Sequence, residues 1–110
     1  MEGALSELPD DPVPLHTALA LLRSLEVELL GAGVAHAAIF GSVARGDAVP
    51  GSDVDVLVDL DPEAHVSLFE LVGIEMRLAQ AFERKVDVLT RGGLRPGLDD
   101  GIAADAIEAF

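Results

Sequence analysis

The chain has 110 residues and a formal net charge of −13, from 20 acidic and 7 basic side chains. This length is typical of one domain, and because half of the residues are hydrophobic, extended disorder is excluded. The absence of cysteine excludes both a disulfide framework and a thiolate zinc site. The negative charge would repel nucleic acid, so we expect no direct nucleic-acid partner and favour a protein partner with a basic surface.

The start of the chain and its apolar runs carry no targeting signal. The sequence MEGALSELPDD lacks the regions of a signal peptide, and no apolar run approaches the roughly 18 residues of a membrane span. We therefore expect a cytoplasmic protein without membrane contact. Prolines and acidic residues interrupt residues 1–13, which we expect to form a loose lead-in to one domain over 14–110.

The spacing of apolar residues predicts alternating helices and strands. In chain order, the predicted elements are a helix over 15–30, a strand over 34–40, a short helix over 42–45, a strand over 53–59, a helix over 66–82, a strand over 85–90 and a last helix over 98–110. This order predicts an α/β fold, in which a mixed sheet of three or four strands packs against helices within a single small domain.

The stretch GSVARGDAVPGSDVD, residues 41–55, combines a tight turn with two carboxylates. Gly41 and Ser42 follow a predicted strand, where a residue without a Cβ atom lets the backbone turn and present an N–H group and a hydroxyl to an anion. Asp53 and Asp55 are two residues apart, so they project from one face of the next strand. Asp87 occupies a similar place on the third predicted strand.

Two carboxylates this close raise each other's pKa unless a cation lies between them. Oxygen ligands without neighbouring His or Cys suit Mg²⁺ or Mn²⁺ rather than Zn²⁺. The residues therefore predict a metal and nucleotide site.

This combination of residues resembles the polymerase-beta nucleotidyltransferase superfamily. Its signature is a Gly-Ser turn, a spacer, an Asp-x-Asp pair and a later Asp, places filled here by Gly41, Ser42, Asp53, Asp55 and Asp87. The GSxARG form of the turn, the SDxD that follows and the small size resemble, more narrowly, the minimal nucleotidyltransferases. Those proteins are commonly antitoxin partners of HEPN ribonuclease toxins. The resemblance extends from the first predicted helix to the third predicted strand.

The resemblance implies that AMP is transferred from ATP to a hydroxyl, with release of pyrophosphate. Asp53 and Asp55 resemble the ligands of two Mg²⁺ ions, and Asp87 resembles the third ligand and a possible base. Gly41 and Ser42 resemble the groups that bind the terminal phosphates. In minimal nucleotidyltransferases the implied acceptor is a tyrosine hydroxyl of the HEPN toxin, so we expect a hetero-oligomeric complex.

Three alternatives stay open at this point. Arg45 either contacts the triphosphate or braces Asp47. The chain could neutralise a partner by binding alone, with a silent site. It could also modify a small alcohol such as an aminoglycoside, although such enzymes usually carry an additional helical domain that these 110 residues lack.

Overall fold

A four-stranded mixed sheet organises the computed structural model of the chain, which describes residues 11–91 and 104–110. Its strands are β1 (Val34–Phe40), β2 (Val54–Leu60), β3 (Val86–Thr90) and β4 (Ile107–Glu108), and their order across the sheet is β3-β2-β1-β4. Strand β1 is antiparallel to both β2 and β4, whereas β2 and β3 are parallel. The expectation of a mixed α/β sheet is therefore confirmed.

Helices cover one face of this sheet. They are α1 (Leu15–Ser24), α2 (Glu26–Gly31), the short α3 (Gly41–Arg45) and α4 (Leu68–Phe82), with a single 3₁₀ turn at Pro62–Ala64. Helix α4 begins at a capping box, in which the Ser67 hydroxyl accepts from the Glu70 N–H at 3.1 Å and the Glu70 carboxylate accepts from the Ser67 N–H at 2.8 Å. In the part of the chain that is described, no helix has the length and apolar character needed to cross a membrane.

The side chains of β2 alternate between the hydrophobic core under the helices and the other face of the sheet. Val54, Val56 and Val58 are fully buried against residues of α1, α2 and α4, including Ile74 and Leu78. The alternate side chains of β2 point away from these helices, as the pleat of a strand requires. The three carboxylates predicted to act together therefore lie on the face that α4 does not cover.

The predicted first helix over 15–30 is interrupted at Leu25, which corrects that prediction. The Ser24 hydroxyl donates to the Leu21 carbonyl at 2.6 Å, and the Leu25 N–H donates to Leu22 rather than to Leu21. A serine hydroxyl that occupies a helical acceptor competes with the backbone ladder. The spacing of apolar residues continues across Leu25, so this spacing could not reveal the break in the helix.

The predicted last helix is wrong at the end of the chain. Residues 107–108 form β4, in which Ile107 pairs with Ile39 and Glu108 with Ala38. The free edge of β1 supplies hydrogen-bond partners that a helix would leave unused, and Arg23 donates from Nε to the Ala109 carbonyl at 2.9 Å. The part of this prediction over 98–103 lies outside the described residues, as do residues 1–10 of the expected lead-in.

Candidate functional site

The carboxylates of Asp55 and Asp87 lie side by side on neighbouring strands. Asp55 on β2 and Asp87 on β3 are register partners in the parallel pair, and Asp53 lies two residues before Asp55 on the same face. The side chain of Asp53 is directed to Lys85, whose Nζ lies 3.8 Å from Asp53 Oδ2. Across the described ranges, no three His, Cys, Asp or Glu side chains are grouped so as to hold a metal ion. The structure thus pairs the predicted carboxylates of Asp55 and Asp87, whereas the third, Asp53, contacts Lys85.

The electrostatics of Asp55 reflect this arrangement. Burial raises the pKa of Asp55, and the neighbouring charges of Asp87 and Asp53 raise it further. Arg45 acts in the opposite direction and lowers this pKa. The folded chain therefore holds Asp55 in a place where its negative charge is unfavourable in the absence of a cation.

A divalent cation fits the Asp55 and Asp87 pair by its chemistry. Both side chains are oxygen donors, they repel each other, and in the described part of the chain neither forms a salt bridge with a basic group. Oxygen donors of this kind suit Mg²⁺ or Mn²⁺. Asp53 fits as a further donor only if its carboxylate leaves the exposed ammonium group of Lys85.

Gly41 places the backbone turn directly against Asp55. Phe40, the residue before it, is the antiparallel register partner of Asp55. Gly41 has φ +74°, and a Cβ atom at this position would collide with Asp55 Oδ2 and lie 3.0 Å from Asp55 Cγ. Glycine is therefore required here both by the left-handed backbone and by the close approach of the carboxylate.

Ser42 lies in the first turn of α3 beside this contact. Its carbonyl accepts hydrogen bonds from the N–H groups of Gly46 and Asp47, both at 3.0 Å, so it holds the end of the turn. Its hydroxyl has no hydrogen-bond partner in residues 11–91 and 104–110. The first N–H groups of a helix lack intrahelical acceptors, so phosphate binding by Gly41 and Ser42 stays a prediction that the backbone of this turn permits.

Arg45 forms two ion pairs at the end of α3. Its Nη1 lies 3.0 Å from Asp105 Oδ2 and its Nε lies 3.3 Å from Asp47 Oδ2. The hydrogen bond to Asp105 raises the pKa of Arg45, and the one to Asp47 raises it further. The structure therefore contains the bracing contact that was one of the two alternatives for this residue, and a contact with the triphosphate stays a prediction.

Lys85 is a candidate functional residue that the sequence reasoning missed. It immediately precedes β3 and lies two residues before Asp87. Because side chains alternate along a strand, Lys85 and Asp87 lie on the same face of the sheet. Its ammonium group is exposed and close to Asp53. The pattern Lys-x-Asp at the start of the third strand was the signal that could have identified a cation beside this site.

Comparison with known proteins places this geometry in a family. The chain matches the nucleotidyltransferase domain family over residues 21–108. A protein of Methanocaldococcus jannaschii named "putative protein adenylyltransferase" is 39% identical over 82 residues, which cover 74% of this chain and 86% of that protein. Protein adenylyltransferase MntA of Thermococcus cleftensis is 32% identical over 75 residues, which cover 68% and 74% of the two chains.

Solved structures agree with this assignment. A structure described as a "putative minimal nucleotidyltransferase" has a TM-score of 0.72 and 30% identity, and the match covers 86% of this chain and 95% of that one. A toxin–antitoxin crystal structure with AMP-PNP has a TM-score of 0.66 at 18% identity, with 80% and 72% covered, and this likeness shows the fold alone. The resemblance recognised from the turn and the aspartates is confirmed, and the chain belongs to the nucleotidyltransferase domain family.

Proposed function

We propose that this chain is a protein adenylyltransferase, which transfers AMP from ATP to a tyrosine hydroxyl of a HEPN ribonuclease toxin and thereby neutralises it. The observation that carries the proposal is the register pairing of Asp55 with Asp87 against the turn at Gly41. The names of the two curated relatives support a protein as the acceptor class. The resemblance to minimal nucleotidyltransferases supplies the toxin and the tyrosine.

Composition supports an acceptor on another protein. These 110 residues contain no tyrosine, so a tyrosine acceptor must lie outside them. The net charge of −13 would steer a basic protein toward this one, because opposite fields accelerate association. An enzyme and its acceptor protein therefore meet as a hetero-oligomeric complex.

The turn and its neighbours bind the nucleotide in this proposal. The Ser42 hydroxyl and the N–H groups after Gly41 donate hydrogen bonds to the terminal phosphates of ATP. Arg45 adds a positive charge to these phosphates by leaving its carboxylate partners. These contacts hold the triphosphate so that its α-phosphorus faces the carboxylates.

The three aspartates then support the transfer. Asp53, Asp55 and Asp87 would hold two Mg²⁺ ions, and bound Mg²⁺ neutralises the negative charge that develops on the attacking and leaving oxygens. Asp87 accepts the proton of the tyrosine hydroxyl, whose oxygen bonds to the α-phosphorus while the bond to the β-phosphate bridging oxygen breaks. Pyrophosphate leaves, and AMP remains on the acceptor.

A labelling experiment tests this function. The protein is incubated with its co-purified partner, Mg²⁺ and ATP labelled at the α-phosphate, and the products are followed by gel and intact mass. We expect label on the partner with the wild-type protein and none with the Asp53→Asn/Asp55→Asn variant. A Glu63→Gln/Glu108→Gln variant removes the same charge outside the site and should label the partner like the wild type.

The other outcomes identify the alternatives. If no form labels the partner although all of them neutralise it, the chain acts by binding alone and the site is silent. If the isolated protein labels an aminoglycoside at a useful rate, the acceptor is a small alcohol. Either result would reject the proposed function.

A further inference from the structure

Helix α4 exposes an apolar face that no described residue covers. Phe69 is 90% exposed, Met76 67% and Val72 43%. At about 100° per residue, these positions and Gly73 lie within roughly a third of the helix circumference, opposite the buried Ile74 side of the helix. We call Phe69, Val72, Gly73 and Met76 the α4 outer face. It runs over two turns without a charged side chain.

Nothing in the described residues explains a glycine at position 73. Glycine inside a helix lowers its stability more than any residue except proline, and the φ of Gly73 is not positive. A Cβ atom at Gly73 would meet nothing within 4 Å. Packing among residues 11–91 and 104–110 therefore does not require glycine at position 73, whereas a side chain there would hinder the close approach of another molecule.

A groove beside Gly73 offers room for a side chain of that molecule. It lies between α2 and α4, has a volume of about 290 Å³, and is lined by the apolar residues Leu29, Ala32 and Ile74 together with Gly73. Small residues on one wall let a neighbouring helix come close. The groove and the α4 outer face adjoin each other, because Gly73 belongs to both.

The charges at the border of this surface indicate the occupant. Glu28, Glu70 and Arg77 line the groove, and Arg77 is already bound to Glu28 by two hydrogen bonds of 2.7 and 3.2 Å. The border is therefore net acidic. A second copy of this chain would bring a like border and a further charge of −13. A helix with an apolar stripe flanked by Lys or Arg would complement it.

We propose that the α4 outer face docks an α-helix of the partner protein. An apolar side chain of that helix enters the groove beside Gly73, and its basic side chains face Glu70 and Glu28. The inference rests on the proposed function in one respect, since the partner is taken to be the protein that receives AMP.

Docking on α4 leaves the carboxylates accessible. Helix α4 packs against the Val54, Val56 and Val58 face of the sheet, whereas Asp55 and Asp87 lie on the other face. Strand β3, which carries Asp87, contacts α4 and is an edge of the described sheet. The acceptor hydroxyl of a docked partner therefore reaches the site around the edge formed by β3.

Site-directed cross-linking tests the docking surface, because the chain has no native cysteine. Met76→Cys, labelled with a maleimide-benzophenone, is irradiated with the co-purified partner, and Ala20→Cys on the exposed side of α1 is the matched control. We expect cross-links from position 76 to a helix of the partner at least about tenfold above the control, as for a residue central to an interface. Cross-links between two copies of this chain, or none, would overturn the proposal.

Variants of the α4 outer face separate docking from catalysis. Phe69→Ser/Met76→Ser and Gly73→Leu should each weaken partner binding by about 100-fold, because central apolar contacts dominate interface energies. Their melting temperatures should not fall, and AMP-PNP binding should be unchanged. Unchanged partner binding by both variants would reject the docking surface while leaving the proposed function intact. Docking through α4 by a wild-type protein that transfers no AMP would reject only the proposed function.

Discussion

Gly41 and Asp55 approach each other so closely that no side chain fits between them. The antiparallel pairing of Phe40 with Asp55 sets this contact, and the φ of +74° at Gly41 turns the chain away from the strand. The turn that we propose to bind phosphate thus lies against the same carboxylate that is paired with Asp87. Two parts of the sequence motif, 14 positions apart, are therefore in direct contact.

Gly41→Ala should therefore abolish nucleotide transfer. The new Cβ must displace Asp55, and the left-handed backbone adds a cost of about 1–2 kcal/mol to the free energy of folding. Gly46→Ala is the matched control, because Gly46 has φ +81° but a Cβ atom there meets nothing within 4 Å. In urea unfolding, Gly46→Ala should show the cost of the left-handed backbone alone, and it should keep its transferase activity. Equal activity losses in both variants would show that backbone strain, not the Asp55 contact, matters.

Asp55→Asn should stabilise the protein when no divalent cation is present. Burial and the charges of Asp87 and Asp53 raise the pKa of Asp55, so its ionised form is less favourable in the folded than in the unfolded chain at neutral pH. Removing the charge should increase the free energy of unfolding by up to about 1 kcal/mol, a small value because the site is partly solvated. Urea unfolding at pH 7 in EDTA measures the difference, with Glu108→Gln as the control.

Mg²⁺ should stabilise the wild type but not Asp55→Asn. A ligand that binds only the folded state raises stability, so Mg²⁺ should raise the urea midpoint of the wild type and leave that of Asp55→Asn unchanged. If Asp55→Asn is less stable than the wild type in EDTA, repulsion between Asp55 and its carboxylate neighbours does not destabilise the folded protein.

The capping box of α4 should make stability depend on pH. The hydrogen bond from the Ser67 N–H, followed by that from the Ser67 hydroxyl, lowers the pKa of Glu70. A lowered pKa means that the contribution is fully present above the unfolded value of about 4.3 and is lost as the pH falls through the folded value. The wild type should thus exceed Glu70→Gln in urea midpoint at pH 7, and the gap should narrow as the pH falls below about 4.3. A gap that stays constant over this range would exclude ionisation as its source.

Much of the site was predictable because strand alternation is a local property. The period of two places Asp53 and Asp55 on one face whatever lies around them, and the same period places Asp87 on the corresponding face of β3. The contact of Gly41 with Asp55 was not predictable, since it depends on the register between β1 and β2. The ion pair of Lys85 with Asp53 likewise depends on which side chains the parallel pairing brings together.

The elements that were predicted incorrectly depend on contacts between distant or single groups. The break at Leu25 follows from the hydroxyl of Ser24, a hydrogen bond that leaves the apolar spacing unchanged. The strand at the end of the chain exists because β1 offers it a free edge, and residues 107–108 take their conformation from that pairing. Helical spacing of Ala106 and Ile107 carries no information about this edge.

Arg45 should contribute to ATP binding by exchanging one set of anionic partners for another. Its two ion pairs are exposed to solvent and therefore weak, so the guanidinium can turn to a triphosphate at small cost. Its charge already reaches Asp55, whose pKa it lowers. Arg45→Met should raise KM for ATP about tenfold, as expected for the loss of one charge-assisted hydrogen bond, and leave the urea midpoint nearly unchanged.

Asp105→Asn tests the competition between these partners. It removes an acceptor that holds Arg45 at 3.0 Å, so it should lower KM for ATP while leaving kcat unchanged. Arg91→Met is the matched control for Arg45→Met, because Arg91 forms a comparable ion pair with Asp59 at 2.8 Å. This control variant should leave KM for ATP unchanged. If Arg45→Met and Arg91→Met give the same KM as the wild type, Arg45 serves only to hold Asp47 and Asp105 at the end of α3, and phosphate binding falls to Ser42 and the backbone.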